Sequence, residues 1–348
     1  MQIKLRTLFS VTVLYMTLSA CALAQAGEPA FWEHYKSTFI SQDGRVIDYG
    51  QGQASTSEGQ GYGMLLAVIN GDKKVFDTVW DWTKANLSVR QDNLLAWLWG
   101  KRDNGMWEVM DYNNATDGDT LIAFALLKAS TKWDRDSYEK EAMKVIRSIR
   151  EKLAVRIEGK TFLLPGYYGF KDAGSITLNP SYMIFSAYRL FAEVDDNEFW
   201  RKIHQDGLEL LKAACFGNPC LPADWIWVSR RGVEIAEARS TRFGHDAVRT
   251  LLHVSWAQGQ LPEGLAIGLD SYKQNGYIPW WIDLKSGEIS KQSAPAGFYA
   301  VYGRAAMQAG ELKTSQRLFN EAEKKIQGEE KNYYSYSLYL LSLIKEQP

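Results

Sequence analysis

Residues 138–153 read Tyr138-Glu-Lys-Glu-Ala142-Met-Lys-Val145-Ile146-Arg-Ser-Ile149-Arg-Glu-Lys-Leu153. The apolar side chains of this stretch recur mainly three or four positions apart, which is the spacing of one face of an α-helix. Most of the intervening positions are charged. The stretch therefore predicts an amphipathic helix that packs one side against a core and exposes the other to water.

The same helical spacing recurs along most of the chain. Similar segments lie near residues 31–40, 58–70, 72–87, 117–131, 180–193, 196–214, 242–257, 296–309, 311–326 and 332–345, with shorter ones near 92–99 and 263–275. Strand-like patterns are confined to residues 161–170 and 224–233. Because strands and helices do not alternate as they do in parallel-sheet proteins, the predicted fold is an all-α array of paired helices, about twelve in number.

The composition excludes several classes of protein. The chain has 348 residues with 46% hydrophobic side chains and a formal net charge of -1, with 40 Lys and Arg against 41 Asp and Glu. A disordered chain has fewer apolar residues, and a nucleic-acid-binding protein usually has a basic surplus. The aromatic content is high, with 13 Trp and 18 Tyr. Such residues fill cores, and they also line grooves that stack on flat ligands.

The first residues have the pattern of a secretory signal. Lys4 and Arg6 precede an apolar run over residues 8–20, and residues 24–26 read Ala-Gln-Ala. This arrangement of a basic, an apolar and a small-residue segment predicts export, with residues 1–26 removed and residues 27–348 forming one domain. A second cleavage site competes with the first, since residues 18–21 (Leu-Ser-Ala-Cys) resemble a lipoprotein box in which Cys21 is lipidated. Both alternatives predict a periplasmic or secreted protein.

Only Cys215 and Cys220 remain after cleavage at residue 26. In an oxidising compartment this pair either closes a small disulfide loop or stays as two buried thiols. Neither alternative implies a catalytic role.

The motifs of several common enzyme classes are absent from the sequence. It contains no GxxxxGK[ST], GxGxxG or GxSxG sequence, so phosphate-binding loops and a hydrolase nucleophile elbow are not predicted. The four histidines form no HExxH motif, so a zincin site is excluded and no metal is predicted.

Three segments combine carboxylates with glycine or aromatic residues. The first, residues 55–64, reads Ser-Thr-Ser-Glu-Gly-Gln-Gly-Tyr-Gly-Met and resembles a helix start with Glu58 in its first turn. An acid at this position complements the helix dipole. The neighbouring glycines, however, leave the helix entry bare, so that a ligand can approach the carboxylate. Both a structural and a catalytic role for Glu58 stay open on these residues alone.

The other two segments contain Asp117 and Asp246. Residues 113–119 read Asn-Asn-Ala-Thr-Asp-Gly-Asp, in which Thr116 or Asp117 is a candidate helix cap. Residues 243–249 read Phe-Gly-His-Asp-Ala-Val-Arg, and on a helix Asp246 and Arg249 face each other as an i,i+3 pair. On a surface this pair contributes little. In a cleft the arginine favours an ionised carboxylate, as a general base requires.

Together these segments resemble glycoside hydrolase family 8. Residues 115–129, which read Ala-Thr-Asp-Gly-Asp-Thr-Leu-Ile-Ala-Phe-Ala-Leu-Leu-Lys-Ala, match that family's signature throughout, with Trp133 four positions further on. Residues 57–64, 96–100 (Ala-Trp-Leu-Trp-Gly), 163–166 (Leu-Leu-Pro-Gly) and 179–182 (Asn-Pro-Ser-Tyr) add to the resemblance. It extends from about residue 31 to residue 339, nearly the whole chain, and within the family it is strongest to the periplasmic endoglucanases that accompany bacterial cellulose synthases.

The resemblance implies a fold, a reaction and a set of residues. The fold is an (α/α)6 barrel of six inner and six outer helices with a glycan cleft across one end. The reaction is inverting hydrolysis of β-1,4-glucan, with Glu58 as proton donor, Asp246 as general base beside Arg249, and Asp117 as either nucleophile or a carboxylate that grips the distorted sugar. Relatives often have Tyr before the base, where this chain has His245. The Trp99, Trp107 and Tyr182 rings are expected to stack on sugars, and no metal or organic cofactor is required.

Physical conditions on these roles follow from the mechanism. Glu58 must be protonated, although a helix N-terminus favours its ionised form, so burial or Asp117 has to outweigh the dipole. Asp246 is expected to stay ionised with the help of Arg249. Chitosan or xylan as substrate, and a non-catalytic glycan-binding factor, are the alternatives. The expected partners are the polysaccharide and, loosely, a cellulose synthase complex, with the protein itself a monomer and nucleic acid excluded.

Overall fold

The computed structural model describes residues 29–217, 220–259, 261, 269–270, 272–274 and 276–344. The predicted signal, residues 1–26, and Cys21 lie outside the described residues. Among the helices of the described part, none is both long enough and apolar enough to cross a membrane.

The described residues are mostly helical. In chain order the helices are α1 (residues 29–39), α2 (Ser57–Ile69), α3 (Lys73–Asn86), α4 (Thr116–Trp133), α5 (Asp136–Leu153), α6 (Phe185–Val194), α7 (Asn197–Ala213), α8 (Val248–Trp256), α9 (residues 269–270 and 272–274), α10 (Ala296–Gln308), α11 (Leu312–Ile326) and α12 (Tyr333–Ser342). The predicted all-α class is correct.

The even-numbered helices form a closed inner ring. Each packs against the next, from α2 through α4, α6, α8, α10 and α12 and back to α2. Residues on nearly every side of α2, α4, α8 and α10 are buried. Helices that are apolar all round are stable only when they are enclosed, and here they are enclosed by the outer helices.

The helices α1, α3, α5, α7 and α11 form an outer layer, in which α3 packs on α2. The helix α5 packs on α4, α7 on α6, and α11 on α10, while α1 meets α12 through the Phe31 and Tyr339 rings. Six of the seven apolar side chains of the stretch 138–153 are buried in α5, and Met143 is half-buried. The outer helices are amphipathic because one face meets the inner ring and the other faces water.

Eleven short strands occur in the connections of the described part. They are β1 (Ser55–Thr56), β2 (Leu98–Lys101), β3 (Trp107–Asp111), β4 (Ala154–Ile157), β5 (Lys160–Leu163), β6 (Lys171–Asp172), β7 (Ser175–Leu178), β8 (Ile226–Ser229), β9 (Gly232–Ile235), β10 (Arg242–Phe243) and β11 (Ile282–Asp283). The sheets are antiparallel, and in the sheet β1-β2-β3 Ser55 lies opposite Trp99. The two predicted strand regions therefore contain strands, but the sequence reading missed most of the others.

The prediction of a helix over residues 92–99 is wrong. Leu94, Leu95 and Ala96 are buried in irregular chain. The Leu95 backbone N–H donates to Asp119 Oδ1 at 2.8 Å, and the Ala96 N–H donates to the Leu87 carbonyl at 2.9 Å. Because these donors bond to distant acceptors, the segment is stable without helical hydrogen bonds.

The two cysteines are bonded to each other in the structure. A disulfide joins Cys215 and Cys220 just after α7, which is the first of the two alternatives for this pair.

Candidate active site

The three predicted acids lie at the N-terminal ends of three inner helices. Glu58 is in the first turn of α2, which Thr56 caps by accepting a 3.0 Å hydrogen bond from the Gly59 N–H. Asp117 is in the first turn of α4, and Asp246 lies two residues before α8. Neither Thr116 nor Asp117 caps α4, since the cap position is Ala115 and forms no side-chain bond. The Thr116 hydroxyl donates instead to the Leu164 carbonyl.

A glycine allows α2 and α4 to approach each other at this end. A Cβ atom at Gly118 would lie 2.2 Å from Ser57 Oγ and 2.7 Å from the Glu58 backbone nitrogen. One turn further along α2, a Cβ atom at Gly61 would lie 2.6 Å from the Leu121 Cβ. The absence of side chains at these positions therefore brings the first turns of the two helices, and with them Glu58 and Asp117, into direct proximity.

One arginine contacts all three acids. Arg249 Nη1 lies 3.1 Å from Asp117 Oδ2 and also contacts Glu58 Oε1, while Nη2 donates to Asp246 Oδ1 at 2.8 Å. The Arg249 side chain is only 4% exposed. The predicted pair between Asp246 and Arg249 is present, but no sequence pattern indicated that the same guanidinium reaches acids on two other helices.

The depth of the three carboxylates differs. The Glu58 and Asp246 side chains keep 18% and 28% of their surface exposed, whereas Asp117 keeps 3%. Glu58 and Asp246 are therefore open to a ligand at the surface of the site, and Asp117 lies at its base.

Burial decides the protonation of the aspartates. It raises the pKa of Asp117 to about 7, and burial together with the negative charges of Asp224 and Asp117 raises the pKa of Asp246 to about 7. Burial and like charges therefore oppose the guanidinium of Arg249, which is expected to help Asp246 stay ionised. Three ionised carboxylates around one guanidinium would leave two uncompensated negative charges, so the cluster as a whole holds a proton near neutral pH.

Tyr62 is a site residue that the sequence reading did not assign. Its hydroxyl donates to Glu58 Oε1 at 3.1 Å and lies 3.4 Å from Arg249 Nη1. The i,i+4 spacing from Glu58 places the two side chains on one helix face, which was the available signal. The Tyr62 hydroxyl and the Arg249 guanidinium both contact Glu58. They therefore favour its charged form rather than the protonated form that a general acid needs.

Asp246 has further neighbours that the sequence reading missed. The Trp225 indole N–H donates to Asp246 Oδ2 at 3.1 Å. The Asn179 amide interacts with Asp246 and lowers its pKa, although Nδ2 forms no well-aligned hydrogen bond. Asn179 Oδ1 accepts from the Ser181 N–H at 3.0 Å and from the Ser181 hydroxyl at 2.7 Å. Because Oδ1 faces Ser181, the Nδ2 donor of the same amide faces away from Ser181.

The residue before Asp246 packs against an inner helix. The His245 ring stacks on Tyr334 of α12 with centroids 4.0 Å apart, and the Tyr334 hydroxyl donates to the His245 carbonyl at 2.6 Å. Burial lowers the pKa of His245 to about 4, so the ring is neutral near neutral pH. A neutral aromatic ring stacked on Tyr334 therefore precedes Asp246.

The three predicted sugar-stacking rings fall into two groups. Trp99 and Trp107 stack on each other in the β2–β3 hairpin, with centroids 5.1 Å apart, and the Arg45 guanidinium lies over both. Tyr182 instead lies beside the acids, with its ring 5.7 Å from the Arg249 guanidinium. The hairpin pairs with β1, which leads directly into the helix that carries Glu58.

Within the described ranges, no group of three or more His, Cys, Asp or Glu side chains is arranged to hold a metal ion.

A known protein family matches nearly the whole chain. Residues 4–348 match the family described as glycosyl hydrolases family 8. The chain belongs to glycosyl hydrolase family 8. It is therefore a glycoside hydrolase, and the family resemblance of the α4 signature is confirmed.

Several relatives are similar over most of their length. An endoglucanase of Cellulomonas uda is 35% identical over 300 residues, which are 85% of this chain and 82% of the relative. The solved structure of the endo-β-1,4-glucanase CMCax from Acetobacter xylinum is 33% identical, has a TM-score of 0.79 and covers 91% of this chain and 96% of its own. The family 8 endoglucanase Cel10 from Klebsiella pneumoniae is also 33% identical, with a TM-score of 0.78, covering 90% and 97%. The fold of this chain is the (α/α)6 barrel of these neighbours.

Proposed function

We propose that this family 8 enzyme is an endo-β-1,4-glucanase that uses Glu58, Asp117 and Asp246 to hydrolyse cellulose-type glucan with inversion of the anomeric centre. The observation that carries the proposal is the single buried guanidinium of Arg249, which contacts all three carboxylates although they lie far apart in sequence. The relatives named as endoglucanases support the choice of β-1,4-glucan.

Each carboxylate has a distinct task in this proposal. Glu58 gives a proton to the departing glycosidic oxygen, and Asp246 takes one from the water that attacks the anomeric carbon on the opposite face of the sugar. Inverting enzymes hold these two groups about 6.5–9.5 Å apart to leave room for that water. Asp117, at the base of the site, grips the reacting sugar ring and favours its oxocarbenium-like distortion.

The protonation of the cluster suits acid and base catalysis near neutral pH. A general base works best when its pKa lies close to the working pH, and the pKa of Asp246 is about 7. Glu58 needs a proton that Arg249 and Tyr62 disfavour in the free enzyme. We therefore assign its protonation to the substrate-bound state, in which the glycan excludes water and the charged form loses solvation.

Substitution of the two flanking acids tests these roles. The Glu58→Gln and Asp246→Asn enzymes are expected to lose about 10²–10⁴-fold in kcat on carboxymethylcellulose, because each removes one proton-transfer group. Glu330→Gln, an exposed position outside the cluster, is the matched control and keeps the native rate. Native activity in both acid variants would contradict the assignment.

The stereochemistry and the substrate are tested directly by NMR. The anomeric proton of the first product of cello-oligosaccharide cleavage is expected to be that of the α-anomer, as inversion of a β-linkage requires. Reducing-sugar assays on cellulose derivatives, chitosan and xylan separate glucanase activity from the alternatives. Binding of cello-oligosaccharides without any product would favour a non-catalytic glycan-binding factor.

We also propose that the protein acts in the periplasm as a monomer, in loose association with a cellulose synthase complex. The signal-like pattern of residues 1–26 supports export. Fusing residues 1–30 to a β-lactamase that lacks its own signal tests this, since only an exported fusion confers ampicillin resistance. A parallel Cys21→Ser fusion separates lipidation, which it abolishes, from cleavage after Ala26, which it leaves unchanged.

A further inference from the structure

Asp246 receives one hydrogen bond on each of its carboxylate oxygens. Arg249 Nη2 donates to Oδ1 at 2.8 Å, and the Trp225 indole Nε1 donates to Oδ2 at 3.1 Å. The two donors together fix the plane of the carboxylate. Arg249 also contacts two other acids, whereas the single N–H donor of the Trp225 indole bonds to Asp246.

Trp225 is itself held by three neighbours. Its ring is nearly parallel to that of Phe170, with centroids 5.8 Å apart and an interplanar angle of 7°. The Arg239 guanidinium lies 4.6 Å from the Trp225 ring and 4.9 Å from the Phe170 ring. The Tyr182 and Trp225 ring centroids are 6.1 Å apart. We call Phe170, Trp225 and Arg239 the indole stack; it leaves the ring little freedom to turn its N–H away from Asp246.

The backbone beside Trp225 is joined to the loop that carries Asp246. The preceding residue, Asp224, accepts from the Gly244 N–H at 3.0 Å and from the Ala247 N–H at 2.8 Å through Oδ1. The chain beside the Trp225 donor is therefore hydrogen-bonded to the same short segment, residues 244–247, that contains the Asp246 acceptor. Such a double attachment is characteristic of groups that hold a reacting side chain in one orientation.

We propose that Trp225 is a positioning residue for the catalytic base, holding Oδ2 of Asp246 through its indole N–H so that the carboxylate presents a fixed lone pair to the attacking water. This rests on the proposed function, in which Asp246 is the base. Trp225 acts through Asp246 and is assigned no contact with the sugar.

The electrostatic surroundings define what the indole contributes. The charged and titratable groups near Asp246 are Arg249, Asp224, Asp117, Tyr182, Tyr334 and the neutral His245. Burial, Asp224 and Asp117 raise the pKa of Asp246, while the Trp225 and Asn179 donors lower it. Removing the indole N–H removes one of the contacts that favour the ionised base.

The Trp225→Phe variant tests the proposal because it keeps an aromatic ring in the stack and deletes only the N–H. In the pH profile of kcat/KM, the acidic limb is expected to move to higher pH by about one unit. We expect kcat to fall about tenfold and KM to stay unchanged. Trp227→Phe is the matched control. Trp227 lies two residues further on in β8, is 44% exposed, and its substitution is expected to leave the pH profile unchanged.

A second variant keeps the test decisive if Trp225→Phe does not fold. Arg239→Met removes the exposed guanidinium that lies over the Trp225 and Phe170 rings, and it is expected to shift the acidic limb in the same direction by a smaller amount. Circular dichroism of each variant identifies a folding failure.

The outcomes separate this proposal from the assignment of the base. If Asp246→Asn is inactive but Trp225→Phe keeps the native pH profile and kcat, the positioning role is overturned and the base assignment stands. A raised KM with an unmoved acidic limb would identify Trp225 as a sugar-stacking ring and also overturns the proposal. Native activity of Asp246→Asn overturns both.

Discussion

Replacing Arg249 by methionine removes the one positive charge shared by the three carboxylates while keeping an unbranched side chain. Asp117 and Asp246 already have pKa values of about 7 because of burial. Without the guanidinium that lies 3.1 Å from Asp117 and 2.8 Å from Asp246, both pKa values are expected to rise further. The effect on stability should therefore depend on pH.

The sign follows from the linkage between protonation and folding. A carboxyl with a raised pKa in the folded state stabilises the fold fully below its unfolded pKa, and this contribution is lost as pH rises through the folded pKa. In the wild type that loss for Asp117 and Asp246 is complete slightly above pH 7. In Arg249→Met it continues to higher pH, at about 1.4 kcal/mol per pH unit for each additional proton retained.

The expected magnitude is largest under alkaline conditions. Removing one partner of a buried ion pair destabilises a protein by about 3–5 kcal/mol, and we expect this loss for Arg249→Met at pH 9. About 3 kcal/mol of it should be recovered by pH 7, where the folded variant keeps its additional proton. Urea unfolding at pH 7 and pH 9 measures the difference, with Arg242→Met, an exposed arginine over Trp281, as control. An equal loss of stability at both pH values would refute the reasoning.

Three further predictions concern the same end of the barrel. Asp119→Asn should lose less stability than the wild type does between pH 4 and pH 7, since the buried Asp119 carboxyl has a pKa of about 7 in the fold; parallel pH-dependence of the two unfolding free energies would contradict this. Gly118→Ala forces α2 and α4 apart, so we expect a loss of about 1–3 kcal/mol and at least a tenfold fall in activity, whereas Gly328→Ala, where a Cβ has space, changes neither. Tyr62→Phe deletes a hydrogen bond that favours the ionised form of Glu58, so the basic limb of the pH profile of kcat/KM should move to higher pH by up to about one unit, with the melting temperature unchanged to within a few degrees; an unmoved basic limb would show that the hydroxyl does not influence the protonation of Glu58.

The sequence predicted local structure well where the pattern was long and periodic. The segment 138–153 lies within α5, with six of its seven apolar positions buried, because amphipathic spacing is a local property that tertiary packing reinforces. The prediction of a helix over residues 92–99 was wrong because the segment is short and its backbone N–H groups donate to Asp119 and Leu87. Periodicity carries no information about partners that lie distant in the chain.

The functional residues also divide into those that local sequence patterns predicted and those that depend on distant parts of the chain. The segments with Glu58, Asp117 and Asp246 were found from acids beside glycines and from the family signature, and their positions at the starts of helices are local facts. Tyr62 was readable in principle from its i,i+4 spacing. No sequence pattern indicated Trp225 or Asn179 as neighbours of Asp246, since both come from other connections of the barrel.

The chain's own sequence thus determined the helices, their buried faces and the acids that begin three of them. Only the closed ring of inner helices decided that α2, α4 and α8 bring those acids to one guanidinium, that burial raises the pKa of Asp117 and Asp246 to about 7, and that Trp99 and Trp107 stack on each other. The reason is physical. Helix formation depends on side chains a few residues apart, whereas desolvation and Coulomb interactions depend on distances in space, which exist only once the ring has closed.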